Sequence, residues 1–338
     1  MVITINKTHF FHNLDIIAQK TKSKDKIALV LKDNAYGHGL ELIATLAKEY
    51  GIKKAIVQKT DEAKTLIPYF DYILVLSDIP QKSVPSFHYT INSLDDITNF
   101  PKETKVHLKV DTGMHRNGIM PKDLSKAFEL IQKHSLDLKA VFTHHRSADE
   151  LTSEWFWQNK NFETIKQKSL KLAKKYNIPS LEFHKDNSAS LMRTHNFKED
   201  FARVGIAAYG CLELPKPLQN TTKLKPILSL YAHKIATKKL PKGSRIGYGG
   251  SGILKENATI STYDIGYGDG FFRSLSDNFV TPKGLKLIGR ISMDNTSFLS
   301  DEKELLLFED ANKVAKQIGT IGYEVLTSLK PDIQRIVV

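Results

Sequence analysis

From residue 27 to about residue 209, short apolar runs alternate with longer amphipathic ones. The short runs cover 27–31, 55–57, 72–76, 88–91, 106–110, 138–143, 181–184 and 204–208. They are rich in Val, Ile and Leu and bounded by polar, Gly or Pro residues, which predicts buried strands. The longer runs carry apolar residues at helical spacing. In 40–50 these are Leu42, Ile43, Leu46 and Ala47; in 122–134, Leu124, Ala127, Phe128 and Ile131; in 153–176, Trp155, Phe156, Phe162, Ile165 and Leu172. A further helix is expected over 6–19, ahead of the first barrel strand. Strands alternating with helices in this way predict an α/β fold, a (β/α)8 TIM-type barrel, with an open doubly wound sheet as the alternative. The fourth unit is thin, because 92–101 is short for a crossover helix. After Cys211 the pattern changes. Pro215, Pro217 and Pro226 interrupt it, and alternating segments follow at 227–235, 258–265, 284–293 and 304–308, punctuated by glycines. This predicts a mostly β C-terminal domain. The expected division is a barrel over 1–219 and a β-rich domain over 220–338, with the first residues free to join the β domain.

Composition narrows the class. A chain of 338 residues exceeds what one core usually serves, which agrees with two units. Apolar residues make up 41% and charged residues 25%, as in an ordinary soluble globular protein. No apolar run reaches the roughly 18 residues that span a bilayer, so no membrane segment is expected. Residues 1–6 are short and alternating, without a basic region or a small-residue cleavage site, and do not read as a signal peptide. The single cysteine, Cys211, can form no internal disulfide. Together these favour the cytoplasm. The net charge of +12 comes mostly from scattered lysines such as Lys168, Lys171, Lys174 and Lys175. With no arginine-rich arm and no aromatic-basic interleaving, a nucleic-acid partner is not expected. A mildly positive field would help recruit an anionic cofactor.

The strongest chemical signal is Lys32, where the first apolar strand ends. A barrel builds its active site at that face. Burial there would disfavour the ammonium form, as a nucleophilic amine needs. Position alone leaves a strand-end lysine reaching water as the plainer reading. The fingerprint G-x-G-x-x-G is absent after this strand, which counts against a nicotinamide enzyme. The run from Lys32 to Gly39, Lys-Asp-Asn-Ala-Tyr-Gly-His-Gly, resembles the pyridoxal-lysine motif of the alanine racemases. It differs at Asp33, where the family often has a small residue.

The resemblance continues in the same order over nearly the whole chain. Lys109-Val-Asp-Thr-Gly-Met-His-Arg-Asn-Gly118 is similar to the family's fifth-strand segment. It implies that Arg116 reaches the cofactor's phenolic oxygen and the substrate carboxylate, for which a guanidinium is well shaped. Lys109 matches a lysine often carbamylated in the family; an ordinary core-edge lysine is the equal alternative. His144 aligns with the family's active-site histidine, while His145 and Arg146 depart from its usual aromatic and small residues. A His-His pair can suggest a metal, but no further ligand lies at a suitable spacing, so none is expected. The resemblance further implies that Ser188, the backbone around Gly205 and Ile206, Tyr36 and Tyr323 hold the phosphate. Arg203 would face the pyridine nitrogen, with His184 holding Arg203 in place. In the second domain, Tyr267 matches a catalytic base, and Met293 with Asp294 matches the segment that completes the substrate pocket.

The implied activity is interconversion of L-alanine and D-alanine with pyridoxal 5'-phosphate, supplying D-alanine for peptidoglycan. Two opposed bases exchange a Cα proton between faces more simply than one, so Lys32 would serve the D face and Tyr267 the L face. A tyrosine ordinarily titrates at about 10 and needs help to act as a base; His144, in a cationic network with Arg203, would supply it. The family forms head-to-tail homodimers, so Tyr267 and Met293 would come from the partner subunit and the active sites would be shared. Two other readings stand beside this one. A decarboxylase on the same barrel typically needs a second-domain cysteine, and Cys211 has the wrong context. A non-catalytic pyridoxal-phosphate carrier lacks the β domain. Within racemases, alanine is the expected substrate and serine stays open, because a single methyl or hydroxyl shifts preference by only about 1–3 kcal/mol.

Overall fold

The computed structural model describes residues 1–218 and 223–338. The first strand, β1 (Val2–Ile5), lies outside the barrel. Among the described residues, eight parallel strands then form one sheet in chain order. They are β2 (Ile27–Val30), β3 (Lys54–Val57), β4 (Tyr72–Val75), β5 (Phe87–Ile91), β6 (Lys105–Lys109), β7 (Asp137–Phe142), β8 (Glu182–His184) and β9 (Ala202–Val204). The ring shuts twice over. β9 pairs in register with β2, Ala202 opposite Ile27. On its other side, Asp200 N–H donates to the Phe183 carbonyl at 3.1 Å and Arg203 N–H to the Asp186 carbonyl at 2.9 Å.

Period-2 alternation divides each strand between two buried faces. Ile27, Leu29, Ala55, Val57, Ile73 and Val75 point outward and join the main core. Ala28, Val30, Ile56, Leu74 and Phe201 form a separate apolar cluster. The remaining strands contribute mostly buried polar side chains, namely His88, Thr90, His107, His184 and Arg203, with Phe142 of β7 stacked on His184. The barrel is therefore half oil and half hydrogen-bonded.

Helices α1 (Lys7–Thr21), α3 (Leu40–Tyr50), α4 (Thr60–Leu66), α5 (Leu124–Lys133) and α6 (Glu154–Lys175) cover the outside, with the tight turn α2 (Lys32–Tyr36) and the short α7 (Ser188–Arg193) at the strand ends. Asn6 caps α1 by accepting the His9 N–H at 2.8 Å. The thin fourth unit holds only a 3₁₀ turn, Asp95–Asn99. On α6, Phe156 is not a core residue: it is 63% exposed, and burial falls instead on Phe162 and Ile165.

The expected strand at 204–208 is displaced. β9 ends at Val204, and the chain turns at once, with Ala208 N–H donating to the Gly205 carbonyl at 2.8 Å. The run is fully buried, but as a turn; an apolar run alone does not distinguish the two.

The mostly β C-terminal unit centres on β10 (Leu228–Leu240), which pairs with β1, β13 (Ala258–Tyr263) and β15 (Glu304–Phe308). β11 (Arg245–Ile246) and β12 (Gly252–Ile253) form a small ribbon. β14 (Thr296–Phe298) continues the sheet beyond β13, and β16 (Arg335–Val337) runs parallel to β1. The chain's first strand thus sits between elements from its second half. Residues 284–293, expected as a strand, make only isolated bridges, with Leu287 opposite Phe298. Two helices not anticipated there, α8 (Ala311–Ile318) and α9 (Gly322–Thr327), pack together. The expected boundary between 219 and 220 falls outside the described residues. No helix among the described residues is long and apolar enough to cross a membrane.

Candidate active site

Lys32 follows β2 after the single residue Leu31 and starts a left-handed turn. Asp33, Asn34, Ala35 and Tyr36 all have φ between 52° and 55°, and Gly37 follows at 77°. Each non-glycine residue in that region costs about 1–2 kcal/mol. Local hydrogen bonds hold the turn. Ala35 N–H donates to the Leu31 carbonyl at 2.8 Å, Gly37 N–H to Asp33 at 3.0 Å and Gly39 N–H to Asn34 at 3.0 Å. The Asn34 side chain accepts Leu40 N–H at 2.8 Å, and Glu62 accepts Asp33 N–H at 2.7 Å. Strain so thoroughly over-determined is typical of functional sites. Its effect is to aim Lys32 and Tyr36 into one cavity. Gly37 is required for packing as well as φ, because a Cβ there would lie 2.0 Å from the Leu326 carbonyl oxygen. The turn is thereby seated on α9, the helix that carries Tyr323.

The cavity has a volume of about 750 Å³. Lys32, Tyr36, Lys109, Arg116, His144, Ser188, Arg203, Gly205, Ile206 and Tyr323 all line it. At one end, the Ser188 hydroxyl accepts the N–H groups of Gly205 at 3.1 Å and Ala207 at 3.3 Å. A Cβ on Gly205 would stand 2.7 Å from the Tyr36 hydroxyl, so only glycine leaves room for that ring. The Tyr36 and Tyr323 rings are 5.8 Å apart. Burial, then the fields of Tyr323 and Asp33, hold the Tyr36 phenol well above its ordinary range. Burial does the same for Tyr323. Both stay protonated and can donate to an anion.

Another part of the lining is cationic. Arg203 is almost wholly buried. Its Nη1 donates to His184 Nδ1 at 2.7 Å, and its Nη2 to the Thr143 carbonyl at 2.7 Å and His144 Nδ1 at 3.2 Å. Burial lowers Arg203 to about 10, opposed by the field of Asp186, so it remains a cation at neutral pH. Because arginine only donates, His144 must carry any single proton on Nε2. Burial, then the charges of Arg203, Lys109 and Arg116, press His144 far below its usual range and keep it neutral. Lys109 is lowered to about 8 by burial and by Arg116 and Arg203. Arg116 sits in the loop after β6, shaped by the Asp111 carboxylate, which accepts Gly113 N–H at 2.9 Å and His115 N–H at 3.1 Å.

Some expected residues lie elsewhere. His184 is inside the barrel and does not line the cavity itself; it bonds Arg203 and stacks on Phe142, both of which do. Tyr267 and Met293 lie side by side, with Gly268 N–H donating to the Met293 carbonyl at 2.8 Å, and both are exposed, at 42% and 55%. Neither lines the Lys32 cavity within this chain. Asp294 is exposed beside them. His145 is buried near Trp155, and Arg146 pairs with Glu154, so neither lines this cavity. Among the described residues no cluster could hold a metal ion. Burial lifts the Cys211 thiol to about 12, which makes it a poor nucleophile. Sequence reading missed Asp186. It is fully buried, pairs with Lys185 at 3.1 Å and accepts the Ser190 hydroxyl. A charged pair just after a buried strand was the available signal.

The chain resembles known proteins over nearly its whole length. The family described as alanine racemase, N-terminal domain matches residues 5–213, and alanine racemase, C-terminal domain matches residues 227–337. An alanine racemase from a Nitratiruptor species is 49% identical over 327 residues, 96% of this chain and 95% of that protein. Alanine racemase from Bacillus anthracis, solved with bound L-Ala-P, superposes with a TM-score of 0.88 at 28% identity, covering 100% of this chain and 94% of that one. That from Bartonella henselae, with covalently bound pyridoxal phosphate, gives 0.83 at 26% identity, covering 100% and 99%. The chain belongs to the alanine racemase family, and its enzymatic activity is that of an alanine racemase.

Proposed function

We propose that the chain racemises alanine with pyridoxal 5'-phosphate attached to Lys32, in a site completed by a second copy of the chain. The observation that carries this is a division of labour. The groups suited to the cofactor converge on one cavity, whereas Tyr267 and Met293 lie together on an exposed face outside it.

The residues present fit the cofactor. The Ser188 hydroxyl, the Ile206 backbone N–H, and the Tyr36 and Tyr323 phenols line one end with donors, beside Gly205, whose own N–H goes to Ser188; this cradle is suited to a phosphate. Lys32 opens onto the same space, and about 750 Å³ is in the range of small-ligand sites. The Bartonella henselae relative with covalently bound pyridoxal phosphate supports the same choice.

When bound, pyridoxal phosphate draws electrons from the substrate's Cα and so makes its proton removable. Arg203 would donate to the pyridine nitrogen without giving up its own proton. A guanidinium that keeps its proton would leave the ring nitrogen neutral, which would weaken the electron sink and limit side reactions such as transamination. Arg116 would orient the substrate carboxylate. Lys32 takes or returns the proton on the D face, and Tyr267 of the second copy does so on the L face. His144, with its proton fixed on Nε2 by Arg203, can donate to the Tyr267 oxygen and stabilise it without the proton. Lys109 would carry a carbamate, whose negative charge would hold Arg116. The amine's value of about 8 leaves a large neutral fraction near pH 8, the form that attacks carbon dioxide. The D-alanine made would supply peptidoglycan, and the enzyme would work in the cytoplasm.

The test starts with the purified protein, loaded with pyridoxal phosphate and reduced with borohydride. Peptide mapping should find the label on Lys32 alone; a label elsewhere, or none, overturns the attachment. Carbon-13 NMR after equilibration with labelled bicarbonate should give a carbamate signal that Lys109→Ala removes. If the signal is missing in the unsubstituted protein, Lys109 is an ordinary lysine.

A further inference from the structure

The barrel interior below Arg203 holds a chain of hydrogen bonds that runs away from the active site. His184 Nδ1 accepts from Arg203 at 2.7 Å, and His184 Nε2 lies 3.0 Å from His107 Nδ1. His107 Nε2 lies 2.9 Å from the Tyr72 hydroxyl and 3.1 Å from His88 Nδ1. The Tyr72 hydroxyl donates to Glu182 Oε2 at 3.2 Å. His88, His107 and His184 are all buried.

Donor and acceptor roles in this chain are not free. Arg203 can only donate, so His184 Nδ1 must be bare and its proton must sit on Nε2. That proton needs an acceptor, so His107 Nδ1 is bare as well and His107 is protonated on Nε2. This last N–H points at Tyr72 Oη and His88 Nδ1 together. A proton on His88 Nδ1 could oppose this direction, and so could the Tyr72 proton. If it turned toward His107 Nε2, it would force a proton onto His107 Nδ1, against His184 Nε2–H. Relief at that point would in turn bring an N–H against Arg203.

We propose that Tyr72 and Glu182 are positioning residues for Arg203: Glu182 accepts the hydrogen bond that the Tyr72 hydroxyl donates, and so lets every ring accept on the side that faces the guanidinium. This rests on the reading that Arg203 faces the cofactor's pyridine nitrogen. Its internal logic concerns the protein alone. The rings are suited to the task. Burial presses His107 and His184 far below their usual range, and His88 to about 3, so all three remain neutral and each keeps one bare nitrogen. A protonated ring would have no such nitrogen to offer. Stacking of Tyr72 on His88, with ring centroids 3.9 Å apart, fixes the hydroxyl between its two partners.

Nitrogen-15 NMR of histidine-labelled full-length protein, before and after loading with pyridoxal phosphate, reads the protons directly. His184 and His107 should both be Nε2–H tautomers in both states. Glu182→Leu strands the Tyr72 proton and should produce Nδ1–H signal at His107. Adding Tyr72→Phe to that variant removes the stranded donor and should restore the Nε2–H pattern. Glu182→Gln keeps a carbonyl acceptor and should leave the pattern intact. Nδ1–H tautomers in the unsubstituted protein, or a Glu182→Leu effect that Tyr72→Phe does not reverse, overturn the proposal, and so does no effect of Glu182→Leu at all. If Glu182→Leu does not fold, Glu182→Ala replaces it. The unloaded protein is read in the same experiment, so a failed cofactor assignment and a failed relay give different results.

Discussion

Lys32→Ala should reduce racemisation by at least about 10⁴-fold, because it removes the covalent anchor and one of two bases, each base worth roughly 10²–10⁴. The visible absorption of the attached cofactor should vanish. Binding of pyridoxal phosphate itself should survive in weakened form, because the cradle of Tyr36, Ser188 and Gly205 does not involve the lysine side chain. The fold should tolerate the change. The Lys32 side chain is 33% exposed and, among the described residues, pairs only with its neighbour Asp33, so stability should move by less than about 1 kcal/mol. Absorption spectra, equilibrium dialysis and a thermal melt separate these outcomes. An unchanged visible spectrum would falsify the attachment to Lys32.

Tyr267→Phe should leave the visible spectrum intact and still cost roughly 10²–10⁴ in rate, because it deletes only the oxygen that accepts a proton. The backbone should hold its shape. Tyr267 N–H donates to the Ser292 carbonyl at 3.0 Å, and Gly266 is packed so tightly that a Cβ would lie 2.1 Å from the Met293 carbonyl oxygen. Racemisation should fall equally in both directions, since the two enantiomers have equal free energy in water. Exchange of the Cα proton with deuterated water should not. D-alanine, whose proton faces Lys32, should continue to exchange, whereas L-alanine should nearly stop. Equal loss of exchange from both enantiomers would remove Tyr267 from the L face.

The parts of the fold that follow from periodicity were legible in the sequence. Short apolar runs bounded by turns gave the barrel, and glycine-punctuated alternation gave the β unit. The run at 204–208 was misread because a buried turn and a buried strand carry the same residues; the register of β9 against β2 decides it. Residues 284–293 alternate like a strand but pair only at isolated points. Within the site, motif residues were legible because they sit together in sequence. The left-handed turn was not. Asp33 and Asn34 tolerate that conformation, but Ala35 and Tyr36 do not advertise it. The path from Arg203 to Glu182 was invisible for a different reason. His88, His107, Tyr72 and Glu182 lie on four different strands, and only closure of the barrel brings them together.

The exposed position of Tyr267, outside the cavity that holds Lys32, makes the shared site the central claim. Its most direct test mixes inactive Lys32→Ala protein with inactive Tyr267→Phe protein, under conditions where subunit exchange is verified by mass. Random exchange in a two-fold dimer makes half the dimers mixed, and each mixed dimer has one site with both bases, so activity should return to about a quarter of the unsubstituted rate. No recovery despite verified exchange would mean that each chain supplies both bases to its own site, which contradicts a site shared between two copies.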